Sequence, residues 1–228
     1  MQNSKGETQN QERKDGILPP SSYFMRGDGK LSQNPLRKSP VCGTMKEHNP
    51  ILHSLKGAAM KNPMMPDYMF PAFHEITPEF LIELGVTAVL ADIDNTLAPY
   101  EQAEPDERIK GWIASLAAAG IGIAFVSNND WERVNRFNAT LCVPAYAKSG
   151  KPFKKTLVKA MNDLGGTRQT TVMLGDQLLT DALAGHNLGV KCIIVPPIRD
   201  KKSAFFRFKR WLEKPTVRRF KRENGIGW

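Results

Sequence analysis

Cysteines are few in this chain, and their spacing suggests neither a disulfide framework nor a zinc site. Cys42, Cys142 and Cys192 are far apart among the 228 residues and form no CxxC pair, which favours a reducing compartment. The N-terminal region lacks an apolar stretch of the length that a signal peptide needs. The longest charge-free stretch, residues 111–129, is built largely on alanine and is interpreted as helix, turn and strand. These absences predict a cytoplasmic protein.

Acidic side chains are scarce at both ends of the chain, above all at the C-terminal end. Residues 199–228 contain 11 basic and 3 acidic side chains, and residues 1–60 contain 9 and 5. The middle, residues 61–198, has 12 basic and 15 acidic side chains, so the ends account for the formal net charge of +9. A polyanionic partner would therefore meet the tail, and the global charge does not by itself indicate nucleic-acid binding.

Three regions differ in composition. Residues 1–60 are rich in polar residues, glycine and proline and have too little apolar area to offset chain entropy, so we expect a disordered extension. Residues 61–198 carry regular hydrophobic patterns and are predicted to form the folded domain. Residues 199–228 form a basic tail with interspersed aromatic residues.

Helix-like and strand-like patterns alternate in the folded segment. A first helix is predicted from Thr77-Pro78-Glu79 to a stop at Gly85. Further helices are predicted at about 105–119, 131–138, 153–164 and 178–188, and strands at 86–92, 121–126, 143–146, 171–174 and 192–195. This alternation is typical of a three-layer α/β fold with a five-stranded parallel sheet.

Polar residues follow the predicted strands, where parallel sheets usually bind ligands. They are Asp92, Asp94 and Thr96 after the first strand, Ser127 and Asn128 after the second, Lys151 before a helix, and Asp176 and Asp181 after the fourth strand. Asp92 and Asp94 point to the same side while the backbone stays extended, and like charges so close call for a cation. Oxygen ligands of this kind suit Mg²⁺.

The same residues permit phosphoryl transfer. One aspartate of the pair can attack phosphorus while the other carries a proton for the leaving oxygen. Ser127 and Lys151 would hold the phosphoryl oxygens. Plainer structural roles stay open: Asp92 to Asn95 as a solvated turn, Ser127 and Asn128 as a helix cap, and Asp181 as a loop support.

In their order, DxDNT, a strand-terminal serine, Lys-Pro and GDx4D resemble the haloacid dehalogenase (HAD) superfamily. Residues 66–198 are similar to its subfamily IIIA phosphatases of the YqeG type, which include phosphatidylglycerophosphate phosphatases. The resemblance implies a Rossmannoid sandwich in which Asp92 is the nucleophile and Asp94 the acid/base. It further implies phosphate binding by Thr96, Ser127, Asn128 and Lys151, and Mg²⁺ binding by Asp92, the Asp94 backbone carbonyl, Asp176 and Asp181. Ala98-Pro99-Tyr100 departs from the family pattern.

The spacing between the motifs leaves no room for a cap domain, which suits a phosphate carried on a group too large to enclose. The tail bears on the choice of substrate, because Phe205, Phe208 and Leu212 share a helical face until Pro215 intervenes. Such a basic, aromatic segment suits an anionic membrane surface, although a helix docked on the domain is an equal alternative.

Three functions follow. The favoured one is a Mg²⁺-dependent phosphatase for phosphatidylglycerophosphate, an anionic phospholipid, with peripheral membrane contact through residues 199–228. The second is a phosphatase for a soluble sugar phosphate or nucleotide. The third is a non-catalytic HAD-like module that binds RNA or ribosomes, which the intact acidic set argues against, so nucleic acid is not the expected partner.

Overall fold

The computed structural model of the chain describes residues 62–199 and 203–227, without the side chains of Phe205 and Phe206, and the backbone of residues 23–25 and 31–33. Two units are present, Met1–His48 and Asn49–Trp228. In the first, β1 (Tyr23–Met25) pairs antiparallel with β2 (Leu31–Gln33). The prediction of a disordered extension over residues 1–60 falls mainly outside the described residues. The predicted division of the chain into residues 1–60, 61–198 and 199–228 stays a prediction.

The second unit contains a parallel sheet. Its strands are β3 (Tyr68–Met69), β4 (Ala88–Ala91), β5 (Gly122–Val126), β6 (Ala145–Tyr146), β7 (Thr171–Gly175) and β8 (Lys191–Ile194). Their order is β3-β8-β7-β4-β5-β6, and every adjacent pair is parallel. The predicted α/β class is confirmed, with six strands rather than five. The additional edge strand β3 has two residues, too few to give a periodic signal.

Helices connect the strands. They are α1 (Pro78–Glu83), α2 (Glu107–Ala118), α3 (Trp131–Asn138), α4 (Lys155–Asp163), α5 (Leu183–Leu188) and α6 (Ala204–Glu223). Side-chain caps start the first three, because Thr77, Asp106 and Asp130 each accept a hydrogen bond from the backbone N–H three residues later. The helix predicted at 178–188 is divided into a π-helical turn, Leu178–Ala182, followed by α5.

The sheet separates two apolar layers. Val89 and Ala91 of β4 face a cluster that includes residues of α1, α2 and α3, whereas Leu90 faces a cluster that includes residues of α4, α5 and α6. This alternation along one strand follows from the opposite directions of successive side chains. With both faces covered, β4 is fully buried. The arrangement is the predicted three-layer sandwich.

Helix α6 passes through Pro215 without ending there. The expectation that Pro215 interrupts the helix was wrong, because packing on both sides of the proline holds the segment helical. Glu213 and Phe220 are buried, and Phe220 joins the apolar cluster that contains residues of α4 and α5. Phe208 and Trp211 remain exposed and stack on each other. Of the two alternatives for the tail, docking on the domain is therefore observed.

The connections at the carboxyl end of the sheet are short. Between β4 and β5 the chain forms α2, and between β5 and β7 it forms α3, β6 and α4. Over residues 62–199 the structure thus contains no inserted cap domain, as predicted. Among the described helices, none combines the length and the apolar character needed to cross a membrane.

Candidate active site

The candidate site lies where the central strand β4 meets its two neighbours. Asp92 follows β4, Ser127 follows β5 and Asp176 follows β7. Because parallel strands end on the same edge, these three side chains come together although they are far apart in sequence. The crevice beyond the central strands is the usual ligand site of open α/β sheets.

Lys151 links two of the buried carboxylates. Its Nζ lies 2.6 Å from Asp92 Oδ1 and 2.7 Å from Asp181 Oδ1. All three side chains are almost fully buried. Although burial opposes the charged form of Lys151, Asp181 and Asp92 outweigh it and raise the pKa of the ammonium group. Lys151 is therefore charged and fixes the orientation of Asp92.

Helix α6 contributes to the site through Arg210. Its guanidinium group donates to the Asp176 carbonyl oxygen at 2.6 Å and pairs with Asp176 Oδ2. Glu213, one turn later, accepts from Arg210 at 3.1 Å and from the Leu179 backbone N–H at 3.0 Å. The C-terminal helix is thus tied to the loop that follows β7.

The acidic groups suit a hard divalent cation. Carboxylate oxygens of Asp92, Asp176 and Asp181 lie within 4.8 Å of one another. Asp176 Oδ1 is buried and has no hydrogen-bond partner among the described residues, an arrangement that is costly unless a ligand completes it. An all-oxygen set of this kind is the one that Mg²⁺ prefers. The residues present therefore fit a magnesium ion.

Burial and mutual repulsion favour protonation of two of these acids when no cation compensates them. Burial raises the pKa of Asp92 to about 7, although Lys151 opposes the shift. Burial also raises the pKa of Asp176 to about 8, with Arg210 opposing and Asp181 and Asp92 adding to the rise. A divalent cation among the three carboxylates would reverse this tendency, because it favours their charged forms.

Asp94 faces a different set of partners. Its Oδ1 lies 3.1 Å from both Nε and Nη2 of Arg133, and its Oδ2 accepts from Asn129 Nδ2 at 2.9 Å. The extended geometry expected for Asp92 and Asp94 ends here, because Asn95 adopts a left-handed conformation with φ of 67°. The two carboxyl groups line the same pocket but have separate partners.

The remaining predicted residues form the walls. Ser127 Oγ accepts from the Asn129 backbone N–H, and Asn128 Oδ1 accepts from the Lys151 backbone N–H at 2.8 Å. Ser127, Asn128 and Lys151 line a pocket of about 220 Å³ that is also lined by Asp92 and Asp94. Thr96 instead lies beneath Asp92, with its hydroxyl 3.5 Å from Asp92 Oδ2. Its position supports the nucleophile candidate.

Several residues in the site were missed by the sequence analysis. Arg133 and Asn129 hold Asp94, and Arg210 holds Asp176, but each is a common surface residue type outside the recognised motifs. Tyr100 and Lys209 line the pocket beside the motif residues. Gly175 belongs to the recognised GDx4D motif, but its packing role was not predicted: a Cβ at this position would overlap the side chain of Asp181. Only the last residue left a sequence signal, a glycine directly before Asp176.

Comparison with known proteins agrees with the site. The family described as HAD-hydrolase-like matches residues 148–197, which include Lys151, Asp176 and Asp181. The curated protein "Probable phosphatase YqeG" of Bacillus subtilis (strain 168) is 32% identical over 169 residues, covering 74% of this chain and 98% of that protein.

Solved structures give more distant matches. CbbY from Rhodobacter sphaeroides in complex with xylulose-(1,5)bisphosphate is 17% identical with a TM-score of 0.42, covering 52% of this chain and 91% of that chain. The cobalt-bound deoxy-D-mannose-octulosonate 8-phosphate phosphatase (YrbI) from Haemophilus influenzae is 18% identical with a TM-score of 0.39, covering 59% and 91%.

The family match and the curated relative define the chain as a phosphomonoester hydrolase of the HAD class. Within this class, it belongs to the YqeG-type phosphatases. The resemblance inferred from the four sequence motifs is thereby confirmed.

Proposed function

We propose that this phosphatase is Mg²⁺-dependent, works through an aspartyl-phosphate and acts on phosphatidylglycerophosphate at a membrane surface. The observation that carries the proposal is the buried cluster of Asp92, Asp176 and Asp181 with Lys151 between two of its members. A structural salt bridge alone does not need three carboxylates crowded within 4.8 Å. A site that binds both a cation and a phosphoryl group does need such a cluster of carboxylates.

Each residue has a role in this reaction. Asp92 attacks phosphorus while the bond from phosphorus to the substrate oxygen breaks, and Asp94 supplies the proton to that oxygen. A water molecule then gives a proton to Asp94 and attacks phosphorus, the bond from phosphorus to the Asp92 oxygen breaks, and inorganic phosphate and the Asp92 carboxylate are released. Asp92, Asp176 and Asp181, together with the Asp94 carbonyl, would hold Mg²⁺, which would compensate the charge on the phosphoryl oxygens. Thr96, Ser127, Asn128 and Lys151 position the phosphoryl group and the nucleophile.

The lipid substrate is favoured by the open site and by the basic helix beside it. A pocket of about 220 Å³ accommodates a phosphoryl group and its near surroundings, so a large substrate must extend outside it. Lys209 of α6 lines this pocket, which brings the basic tail to its edge. The alternative, a soluble sugar phosphate or nucleotide, is favoured by the small and polar character of the same pocket.

Phosphate release from phosphatidylglycerophosphate in mixed micelles, measured beside a panel of soluble phosphate esters, tests the proposal. We expect hydrolysis of the lipid, loss of activity in a chelator and recovery with Mg²⁺. Preference for a soluble ester would support the alternative substrate class. No release from any ester would contradict the catalytic role and favour the binding module.

The nucleophile has its own prediction. Asp92→Asn removes the attacking carboxylate, so we expect no detectable turnover and no labelled phosphoenzyme after acid quenching. Folding should survive, because the substitution relieves repulsion in a crowded acidic cluster. Circular dichroism and thermal melting serve as the control. Persistent turnover in a folded Asp92→Asn protein would refute the assigned role.

A further inference from the structure

A second and larger cavity lies beside the active site, between α6 and the carboxyl end of β8. Its volume is about 910 Å³, within the range typical of ligand-binding sites. One side is formed by Ile194 and the Val195-Pro196-Pro197 segment, and the other by residues of α6. We refer to it as the tail groove.

The lining of the tail groove has two chemical characters. Its apolar part includes Met69, Leu178, Ile194, Val195, Pro196 and Val217. Its basic part consists of Arg199, Arg207, Arg210, Lys214, Arg218 and Lys221. The two acidic residues that line it, Asp176 and Glu213, both pair with Arg210. The groove therefore combines an apolar surface with a strong excess of positive charge.

A surface that is apolar on one part and basic on another suits an anionic amphiphile as its ligand. The apolar wall excludes water from a hydrocarbon portion, and the basic side chains attract a phosphate group. A single-stranded nucleic acid would instead need several aromatic side chains for its bases, and among the side chains that the structure describes Trp211 is the single aromatic one in the lining. The basic side chains suit either anion, and the apolar wall favours a lipid over RNA.

The groove adjoins the candidate catalytic centre at Asp176. This residue lines the groove and also belongs to the acidic cluster, and Arg210 contacts it from α6. We propose that the tail groove binds the acyl chains, glycerol and phosphodiester of an anionic phospholipid, next to the pocket that takes the terminal phosphoryl group. This inference rests on the proposed lipid substrate, but binding can be measured without turnover.

Calorimetric titration of the full chain with monomeric dihexanoyl phosphatidylglycerol tests the groove, because a monomeric lipid offers no membrane surface. Lys214→Glu/Arg218→Glu reverses two groove charges, and we expect its affinity to fall about tenfold or more. The matched control is Arg219→Glu/Arg222→Glu, which makes the same charge change on the same helix outside the lining. We expect the control to bind like the unmodified protein.

Other probes separate the alternatives. Inorganic phosphate and glycerol phosphate should bind much more weakly than the lipid, because they lack the hydrocarbon portion. Trp211 provides a local fluorescence signal, which Trp211→Phe should remove. If the charge-reversed protein fails to fold, Lys214→Gln/Arg218→Gln replaces it.

Equal loss of affinity in the groove and control variants would overturn the proposal, since binding would then depend on helix charge alone. No binding of the monomeric lipid, or tighter binding of a single-stranded RNA through the same two residues, would also overturn it. Lipid binding without hydrolysis of any lipid ester would refute the proposed function and leave the groove standing. Hydrolysis of the lipid ester without binding in the tail groove would support the proposed function and refute the groove.

Discussion

At the scale of single residues, Gly175 shows how closely the active-site loop packs on the sheet. A Cβ at this position would overlap the Asp181 side chain, which reaches Lys151 at 2.7 Å. The close approach therefore depends on the absence of a side chain. It brings a third carboxylate into the cluster without lengthening the loop after β7.

Gly175→Ala should displace Asp181 and loosen the cation site. We expect a loss of about 1–3 kcal/mol in the free energy of unfolding and weaker Mg²⁺ binding by calorimetry. Gly111→Ala is the matched control, because a Cβ there meets nothing within 4 Å and alanine favours the interior of α2. An unchanged Mg²⁺ affinity in Gly175→Ala would show that Asp181 is not needed for the ion.

The buried acids predict a pH-dependent effect of Mg²⁺ on stability. Folding raises the pKa of Asp92 to about 7 and that of Asp176 to about 8, mainly through burial, from an ordinary value of 3.8. The folded state thus binds more protons than the unfolded state between about pH 4 and pH 8. This contribution to stability is complete below about pH 4 and is lost as the pH rises through 7 to 8.

We therefore expect the metal-free protein to lose stability between about pH 5 and pH 8, and the rise in Tm on adding Mg²⁺ to grow over that interval. Thermal melting with chelator and with Mg²⁺ at several pH values measures both trends. Asp92→Asn should flatten them. A Mg²⁺ effect independent of pH would contradict the assignment of these carboxyl groups to the cation site.

Among the secondary-structure elements, the strands and helices with clear hydrophobic periodicity were predicted well. The helix at Trp131–Asn138 was predicted to the residue, but its cap is Asp130 and not Ser127 or Asn128, the alternative that the sequence left open. Strand β3 was not predicted, because its two residues form a strand only through pairing with β8, which is distant in sequence. The π-helical turn at Leu178–Ala182 likewise arises from the loop contacts of Asp181 and has no local sequence signature.

The motif residues of the site could also be predicted, since each lies at the end of a periodic segment. The side chains that contact these motif residues could not be predicted. Arg133 and Arg210 reach Asp94 and Asp176 across 39 and 34 residues of sequence. Such long-range pairs depend on how helices dock, and a single sequence carries no local pattern for that.

Pro215 gives a prediction for α6. Proline in a helix interior removes a backbone hydrogen bond and strains the preceding turn. Because Pro215 is exposed, Pro215→Ala loses no packing, and we expect a gain of about 1–3 kcal/mol in the free energy of unfolding. Denaturant titration measures it, with the soluble-ester activity as a control for the site. A loss of stability would mean that the proline fixes a bend on which docking depends.

At the scale of the whole molecule, helix α6 is part of the folded unit that carries the candidate site. Phe220 is buried in the apolar cluster shared with α4 and α5, and Glu213 is bound to the loop after β7. The basic character that the sequence assigns to the tail is therefore presented from a docked helix. Its exposed Phe208 and Trp211 lie on a surface that the domain itself holds in place.

Ending the chain at Ile198 should destabilise the domain. The fragment loses the burial of Phe220, and we expect the free energy of unfolding to fall by about 3 kcal/mol or more. Calorimetry of the fragment beside a chain beginning at Asn49 measures the loss, because the latter keeps α6 and should retain its Tm. A stable fragment ending at Ile198 would contradict the docked position of α6.

The contact between Arg210 and Asp176 also sets a practical boundary for anyone seeking a minimal catalytic fragment. The recognisable motifs end at Asp181, yet a counter-charge for one of their carboxylates comes from a helix that begins at Ala204. Truncating the protein to the region that carries the motifs would leave the buried Asp176 carboxylate without its counter-charge and would expose apolar side chains of the domain. Loss of activity in such a fragment would then result from the truncation itself. The catalytic activity should therefore be tested on a chain that reaches at least Glu223.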